Sequence, residues 1–191
     1  MNKTYTGIVK FLKSKKARPL IDVALFVIIT VVIHELWWKY STAIYSIPGF
    51  MSLTGWLAYE VFLVSSWINM HILGIDMQTA PGNTMIFLKN NYSIYINESC
   101  SGFKQMIQII ILFVVFPGPW KHKLWFIPAC IISMFLVNVL RVIGLSYAMI
   151  WLPEHWDFIH LWIMRPFYYV AIFLMWVIWV EWFKNKRVAK G

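Results

Sequence analysis

Residues 124–152 read LWFIPACIISMFLVNVLRVIGLSYAMIWL, and this apolar run decides the fold. A helix that crosses a bilayer needs roughly 20 apolar residues, so the run is long enough to span. Pro153 follows it and cannot continue a helix, while Pro128 marks its first turn or a kink. Asn138 and Arg141 lie inside the run, where lipid-embedded sequence carries such groups rarely. The stretch predicts a transmembrane helix that carries a functional polar group.

The whole chain has the composition of a membrane protein. Of its 191 residues, 60% are hydrophobic and 13% are charged, whereas soluble domains are nearer ~45–50% apolar. The third apolar run stops at Pro117-Gly118-Pro119, and Pro166 predicts a kink in the last. We therefore predict an all-α integral membrane protein with about five transmembrane helices in one bundle, the other four at 20–38, 53–75, 101–116 and 161–183.

A short segment between the second and third runs has a different pattern. Met85-Ile86-Phe87-Leu88 and residues 92–96 are rich in apolar and β-branched residues, and they flank Lys89-Asn90-Asn91. An Asn-rich turn between two such stretches predicts a β-hairpin. The hairpin would lie in water or at the membrane surface and lead the chain to Cys100.

The net charge of +9 is concentrated at the ends of the chain and in one loop. The basic segment 1–19 and the basic tail 184–191 enclose a transmembrane domain, 20–183, whose core is 73–183; residues 121–123 form the basic loop. This distribution suits anionic lipids and the positive-inside rule of a multi-pass protein in the cell (inner) membrane. Nucleic acid is not an expected partner, because no basic stripe interleaves with polar sequence.

The basic segments give conflicting predictions of the membrane orientation of the chain. The tail 184–191 and the loop 121–123 both belong in the cytoplasm, which puts Cys100 and His160 on the exoplasmic face. The N-terminal segment also favours the cytoplasm, yet five full crossings cannot leave both ends on one side. Either one early segment does not cross the membrane fully, or the N-terminus lies outside.

Cys100 is the candidate nucleophile. The chain has two cysteines, and Cys130 lies inside an apolar run, so Cys100 is predicted to be a free thiol. At the first turn of the third helix, N–H groups would favour a thiolate and receive an oxyanion. Gly102 would let a substrate backbone approach closely. Ser101 is a rival nucleophile, but no Gly-x-Ser-Gly surrounds it.

Arg141 has two possible roles. A charged residue well inside a span must face the bundle interior and find partners. One possibility is a structural ion pair with Glu60 or Glu98. The other is an electrophilic clamp that holds a carboxylate or stabilises a tetrahedral intermediate. Asn138, one turn away on the same helix face, would support the clamp.

His160 is the candidate base, since it lies near Asp157 at a helix mouth on the same predicted face as Cys100. Glu98 could orient Arg141 or His160, or cap the helix. Arg165 could bind a lipid phosphate or Asp157. His155 and His160 are five residues apart, and no HExxH or CxxC occurs, so neither metal nor cofactor is expected.

Three motifs, in order, resemble the exosortase/archaeosortase family of membrane cysteine transpeptidases. Glu98-Ser99-Cys100-Ser101-Gly102 follows the hairpin, Asn138-x-x-Arg141 lies in the next long span, and Asp157-x-x-His160 precedes the last one. The resemblance covers roughly residues 73–183. Unlike larger members, the chain has fewer N-terminal spans and no appended soluble domain.

The resemblance implies a cysteine protease/transpeptidase in which Cys100, Arg141 and His160 are catalytic. Its substrates would be exported proteins with a C-terminal tail of short motif, hydrophobic span and basic cluster. The acyl group would pass through a Cys thioester to an envelope acceptor. Two alternatives remain open: a non-catalytic component of an export or polysaccharide-assembly system, in which Arg141 and His160 bind an anionic lipid or sugar, and a small transporter. The sequence leaves the substrate motif, acceptor and oligomeric state open.

Overall fold

The computed structural model describes residues 17–184, which form five main helices and one small antiparallel sheet. The predicted helical membrane bundle with a short hairpin is confirmed. The basic segments 1–19 and 184–191 fall almost wholly outside the described residues. The helices are α1 Arg18–Tyr45, α2 Phe50–Trp67, α3 Phe103–Val115, α4 Trp120–Trp151 and α5 Met164–Trp179.

Three helices of the described chain are long and apolar enough to cross a membrane. They are α1, α4 and the continuous helix Pro153–Phe183, which contains α5. With 13 residues, α3 is shorter, and its length of about 20 Å at 1.5 Å per residue is less than the hydrocarbon core of a bilayer. The five helices therefore differ in length and hydropathy more than the five apolar runs suggested.

The last helix begins earlier than predicted. It starts at Pro153 rather than near residue 161, because proline fits the first turn of a helix even though it ends the preceding one. Ile159–Ile163 forms a wider π-helical turn just before α5. Pro166 explains that turn, since its ring would clash with the carbonyl four residues earlier in a regular α-helix. Asp157 and His160 therefore lie within the helix, not before it.

The helices α1 and α5 run antiparallel. The Phe26 ring lies 4.9 Å from that of Trp176, while further along α1 the His34 ring contacts the Tyr169 hydroxyl at 2.8 Å. Residues later in α1 therefore contact residues earlier in α5. The described start of α1 and the described end of the last helix thus lie at the same end of the bundle.

The helix α4 runs antiparallel to both α3 and α5. Near its start, Phe126 packs on Trp179 and on Phe113, with ring centroids 5.1 and 5.0 Å apart. Further along, Arg141 contacts the Tyr168 hydroxyl. The apolar half around Phe126 and Trp179 forms one buried cluster. The other half carries the polar residues, and we call it the site end.

Both ends of α2 contact the site end. Phe50 at its start packs on Phe103 at 5.0 Å, and Asn69, just after α2, donates to the Ser146 hydroxyl of α4 at 3.0 Å. The helix α2 therefore stays at the site end, while α1, α3, α4 and α5 alternate in direction. This arrangement fits the alternative in which one early segment does not cross the membrane fully, because the described chain starts and ends at the same end of the bundle.

The sheet has the order β1-β2-β3, with strands Met77–Ala80, Thr84–Phe87 and Ser93–Tyr95. The pair β2–β3 is the predicted hairpin, whereas β1 was not predicted. Buried Met85 and Phe87 pack into a cluster with α2 and the C-terminal half of α4. The sheet thus covers the site end and leads directly into the turn that carries Cys100.

Candidate active site

Cys100 lies on a 3₁₀ turn, Glu98–Cys100, that precedes α3. Asn97 shapes this turn, because its side-chain oxygen accepts the Ser99 N–H at 3.2 Å and the Ser99 hydroxyl at 2.6 Å. The helix itself starts only at Phe103. The expectation that Cys100 occupies the first turn of the helix was therefore wrong by one turn, since the Asn-x-Ser turn and Gly102 interrupt the backbone.

The backbone N–H groups around the thiol are engaged within the turn. Cys100 donates to the Asn97 carbonyl at 2.9 Å, and Ser101 donates to the Glu98 carbonyl at 3.2 Å. These N–H groups are thus not available to an oxyanion in this conformation. Ser101 is buried and its hydroxyl accepts the Phe103 N–H at 3.2 Å. The hydroxyl thus satisfies the first N–H of α3 from just outside the helix, which is a structural use.

Gly102 is required by the backbone and by its neighbour on α4. Its φ of +75° is the left-handed region that favours glycine. A Cβ here would lie 3.0 Å from Asn138 Nδ2. The space predicted for a substrate backbone is thus occupied by Asn138. Gly102 lets the Cys100 turn approach α4.

Asn138 fixes the cysteine turn to two helices. It is fully buried, and its Nδ2 donates to the Cys100 carbonyl at 2.7 Å. Its Oδ1 accepts the hydroxyl proton of Tyr168 on α5. A buried amide that is bonded on both sides holds one geometry, because losing either bond leaves a desolvated polar atom. Asn138 therefore sets the position of Cys100 relative to α4 and α5.

Arg141 is buried with unused hydrogen-bond donors. It is 6% exposed, its Nη1 lies 3.5 Å from the Tyr168 hydroxyl, and its guanidinium lies 5.2 Å from the Tyr168 ring centroid. Its Nε has no hydrogen-bond partner among the described residues.

Arg141 does not form the structural ion pair that was its alternative role. In residues 17–184, the ion pair between side chains is that of Glu154 with His155, and neither Glu60 nor Glu98 pairs with Arg141. The Glu98 carboxylate instead interacts electrostatically with Tyr45. A buried cation without an anion is costly, so this arrangement favours a site prepared for a negative charge.

His160 is within reach of the Arg141 charge, although no hydrogen bond joins it to Arg141 or to Cys100 among the described residues. Its ring stacks on Trp156 with centroids 5.5 Å apart, and the charges of Arg141, Arg165 and Asp157 all act on it. Asp157 is exposed and lies one turn before His160 on the same helix. The π-helical turn around His160 widens the helix at this point, which is a common feature of functional sites.

Tyr168 is the site residue that the sequence did not predict. It is buried, bonds both Asn138 and Arg141, and interacts electrostatically with Cys100. The available signal was that a tyrosine deep in an apolar helix needs a polar partner for its hydroxyl.

The geometry thus brings the Cys100 turn, Asn138, Arg141 and Tyr168 together through hydrogen bonds, whereas His160 is linked to this group only through the charge of Arg141. No group of three metal-ligating side chains occurs within residues 17–184. The chemistry that this set can perform is nucleophilic attack by a thiol, with a base and a buried cation close by.

Comparison with known proteins gives one match. Residues 35–179 match the family model of the transmembrane exosortases, a range that includes every residue discussed for the site. No curated protein matches the chain, and no solved structure does.

Proposed function

The chain belongs to the transmembrane exosortase family, and from this premise we propose that it is a membrane-embedded cysteine protease/transpeptidase. It cleaves the C-terminal sorting signals of exported proteins and transfers them to an envelope acceptor. The observation that carries the proposal is Arg141, a buried cation with an unused donor beside the cysteine turn.

Arg141 is suited to stabilising a negative charge that forms only during the reaction. Burying a guanidinium costs free energy, and a permanent carboxylate partner would offset that cost. Among residues 17–184, the guanidinium of Arg141 contacts only the hydroxyl and ring of Tyr168. Donors held ready for a developing oxyanion stabilise the transition state more than the ground state, which is the condition for catalysis.

The reaction begins when His160 takes the proton of the Cys100 thiol. The thiolate attacks the carbonyl carbon of a peptide bond in the tail, and the carbonyl electrons move to an oxyanion that Arg141 stabilises. The tetrahedral intermediate collapses, the C–N bond breaks, and His160 returns its proton to the leaving amine. An acceptor amine or water then attacks the thioester and releases the Cys100 thiol.

The substrates are exported proteins with a short motif, a hydrophobic span and a basic cluster at their C-terminus, and the site faces the exoplasmic side. Two features support this orientation. The basic loop 121–123 lies at the start of α4, opposite the site end. The described start of α1 lies at that same opposite end, so both basic segments can stay in the cytoplasm.

Processing in cells tests the proposal. A tail-bearing exported protein from the same genome is co-expressed with the wild type, Cys100→Ala or Cys100→Ser, and its cleavage is followed on blots. We expect cleavage with the wild type and none with either variant, at equal membrane levels. Cleavage by Cys100→Ala would contradict the proposal and favour a non-catalytic component that uses Arg141 and His160 for binding.

The predicted face is tested with a membrane-impermeant thiol reagent on intact cells. We expect Cys100 to be labelled, because it is half-exposed, while buried Cys130 is not. The Cys100→Ala variant is the matched control and should lose the label. Labelling that requires permeabilised cells would place Cys100 on the cytoplasmic side.

A further inference from the structure

A second group of polar side chains lies beside the candidate active site, at the junction of α1, α3 and α5. It consists of His34 on α1, Lys104 on α3, and Arg165 and Tyr169 on α5, and we call it the cationic cluster. Arg165 joins the two sites, because its charge acts on both His160 and Lys104. The cysteine mechanism uses none of these four residues.

The proton positions in the cluster follow from the hydrogen bonds of His34. The Trp38 indole N–H can only donate, and it lies 3.1 Å from His34 Nε2, so Nε2 must be the acceptor. A neutral imidazole then carries its proton on Nδ1. That proton goes to the Tyr169 hydroxyl oxygen at 2.8 Å, which leaves the hydroxyl proton of Tyr169 free to donate.

Within the part of the chain that the structure describes, Lys104 also lacks a hydrogen-bond acceptor for its protons. Its Nζ lies 3.3 Å from His34 Nδ1, but that nitrogen carries a proton and cannot accept. Its other contact is the face of the Trp38 ring, 4.6 Å away, which attracts a cation without accepting a conventional hydrogen bond. The cluster therefore holds an ammonium, a phenol and a nearby guanidinium that are all donors.

The charges of the cluster are not balanced by an ion pair. Arg165 and Lys104 repel each other, and Glu35 is the acidic group whose charge acts on Lys104. Within residues 17–184, neither Glu35 nor Asp157 forms an ion pair with either cation. An anion with several acceptor oxygens would offset this repulsion and accept hydrogen bonds from the unpaired donors.

We propose that Lys104, Arg165 and Tyr169, with His34 as support, bind a phosphate group next to the candidate active site. A phosphate supplies several acceptor oxygens and negative charge, which matches the two cations and the phenol donor of the cluster. The site is open at the surface of the bundle, since Arg165, Tyr169 and Trp38 are exposed. Two of its three helices belong to candidate spans, so a lipid phosphate and a free phosphate can both reach it.

This inference does not depend on the role of Cys100, and its test measures binding. The full-length protein is placed in nanodiscs of phosphatidylglycerol and phosphatidylcholine in equal parts, extracted into mild detergent, and its retained lipids are counted by native mass spectrometry. A second arm adds inorganic phosphate as competitor. The variants are Lys104→Gln/Arg165→Gln and the charge-preserving Tyr169→Phe.

The matched control is Arg18→Gln/Lys39→Gln, which removes one arginine and one lysine from exposed positions outside the cluster. We expect the cluster double variant to retain at least about tenfold less lipid than the wild type. We expect Tyr169→Phe to lose about threefold, since one donor is removed. The control double variant and Cys100→Ala should retain lipid as the wild type does.

Each outcome has a defined meaning. Displacement of lipid by inorganic phosphate supports a site for phosphate from either source, whereas lipid retention that resists phosphate identifies a lipid headgroup. Equal retention by the wild type and both cluster variants would overturn the proposal, as would an equal loss in the control double variant. If the double variant fails to fold, the Tyr169→Phe result decides, because that variant keeps every charge.

Discussion

Two buried cations on α4 have opposite environments. Lys123 is 3% exposed, and its Nζ donates to the carbonyls of Val114 and Phe116 at 2.9 and 2.8 Å. Arg141 is 6% exposed, has one long contact at 3.5 Å with the Tyr168 hydroxyl, and leaves its Nε without a partner. Both are costly to bury, but only the lysine is satisfied by the fold.

This difference separates a structural cation from a functional one. Lys123 satisfies carbonyls at the C-terminal end of α3, where an α-helix leaves backbone acceptors unpaired. Arg141 ends no helix and pairs with no carboxylate among the described residues. The buried cation at the site end of α4 therefore lacks an anion, whereas carbonyl oxygens satisfy the buried cation near the start of α4. Mutation of the two cations should affect different properties.

The largest effect is expected at Arg141. Arg141→Lys keeps the charge but loses the planar fork, and Arg141→Met loses both, so each should lower the processing rate roughly 10²–10³-fold. The thermal stability of Arg141→Met in detergent should not fall, because the change removes a buried charge whose burial costs free energy. Wild-type processing by Arg141→Lys would reduce this residue to a structural role.

The reverse result is expected at Lys123. Lys123→Met leaves the Val114 and Phe116 carbonyls without this donor, which costs about 1–3 kcal/mol for each group that stays unsatisfied. The melting temperature in detergent should fall, while the processing rate per folded molecule stays at the wild-type level. A variant that loses activity without losing stability would remove the distinction between the two cations.

Tyr168→Phe tests how Arg141 is held. The change removes a hydroxyl that donates to Asn138 and accepts from Arg141, so we expect a roughly tenfold lower rate, equivalent to about 1.4 kcal/mol. The double variant with Arg141→Met should lose less than the product of the two single losses, because part of the effect of Tyr168 acts through the arginine. Additive losses would show that Tyr168 acts independently.

The smallest effect is expected at Ser101. Ser101→Ala removes the acceptor of the Phe103 N–H, which costs about 1 kcal/mol of stability. Processing should continue, because the hydroxyl is buried and already used. Loss of processing in a folded Ser101→Ala protein would make the serine, rather than Cys100, the candidate nucleophile.

The helical part of the fold was predictable because apolar length and proline positions are local properties. Run 124–152 corresponds closely to α4, Trp120–Trp151. Pro128, however, lies within α4 rather than in its first turn, since contacts elsewhere in the bundle compensate for the lost hydrogen bond. Pro153 was interpreted only as the end of a helix, although proline starts helices equally well.

The site was predictable only in its residue types. Cysteine, arginine and histidine stand out in apolar sequence, and the same three motifs carried the family resemblance. Their connection through Asn138 and Tyr168 depends on how α4 packs against α5, which no spacing along the chain reveals. Strand β1 was missed for a similar reason, because Met77–Ala80 is short and is stabilised by pairing with β2.

The most direct measurement of the central claim is the mass of the intact purified protein after brief incubation with a tail-bearing substrate and no acceptor amine. We expect a thioester adduct on Cys100 that carries the substrate's N-terminal fragment, is released by hydroxylamine, and is lost in both Cys100→Ala and Arg141→Met. An adduct that forms equally without Arg141, or on a residue other than Cys100, would contradict a reaction centre built from these two side chains.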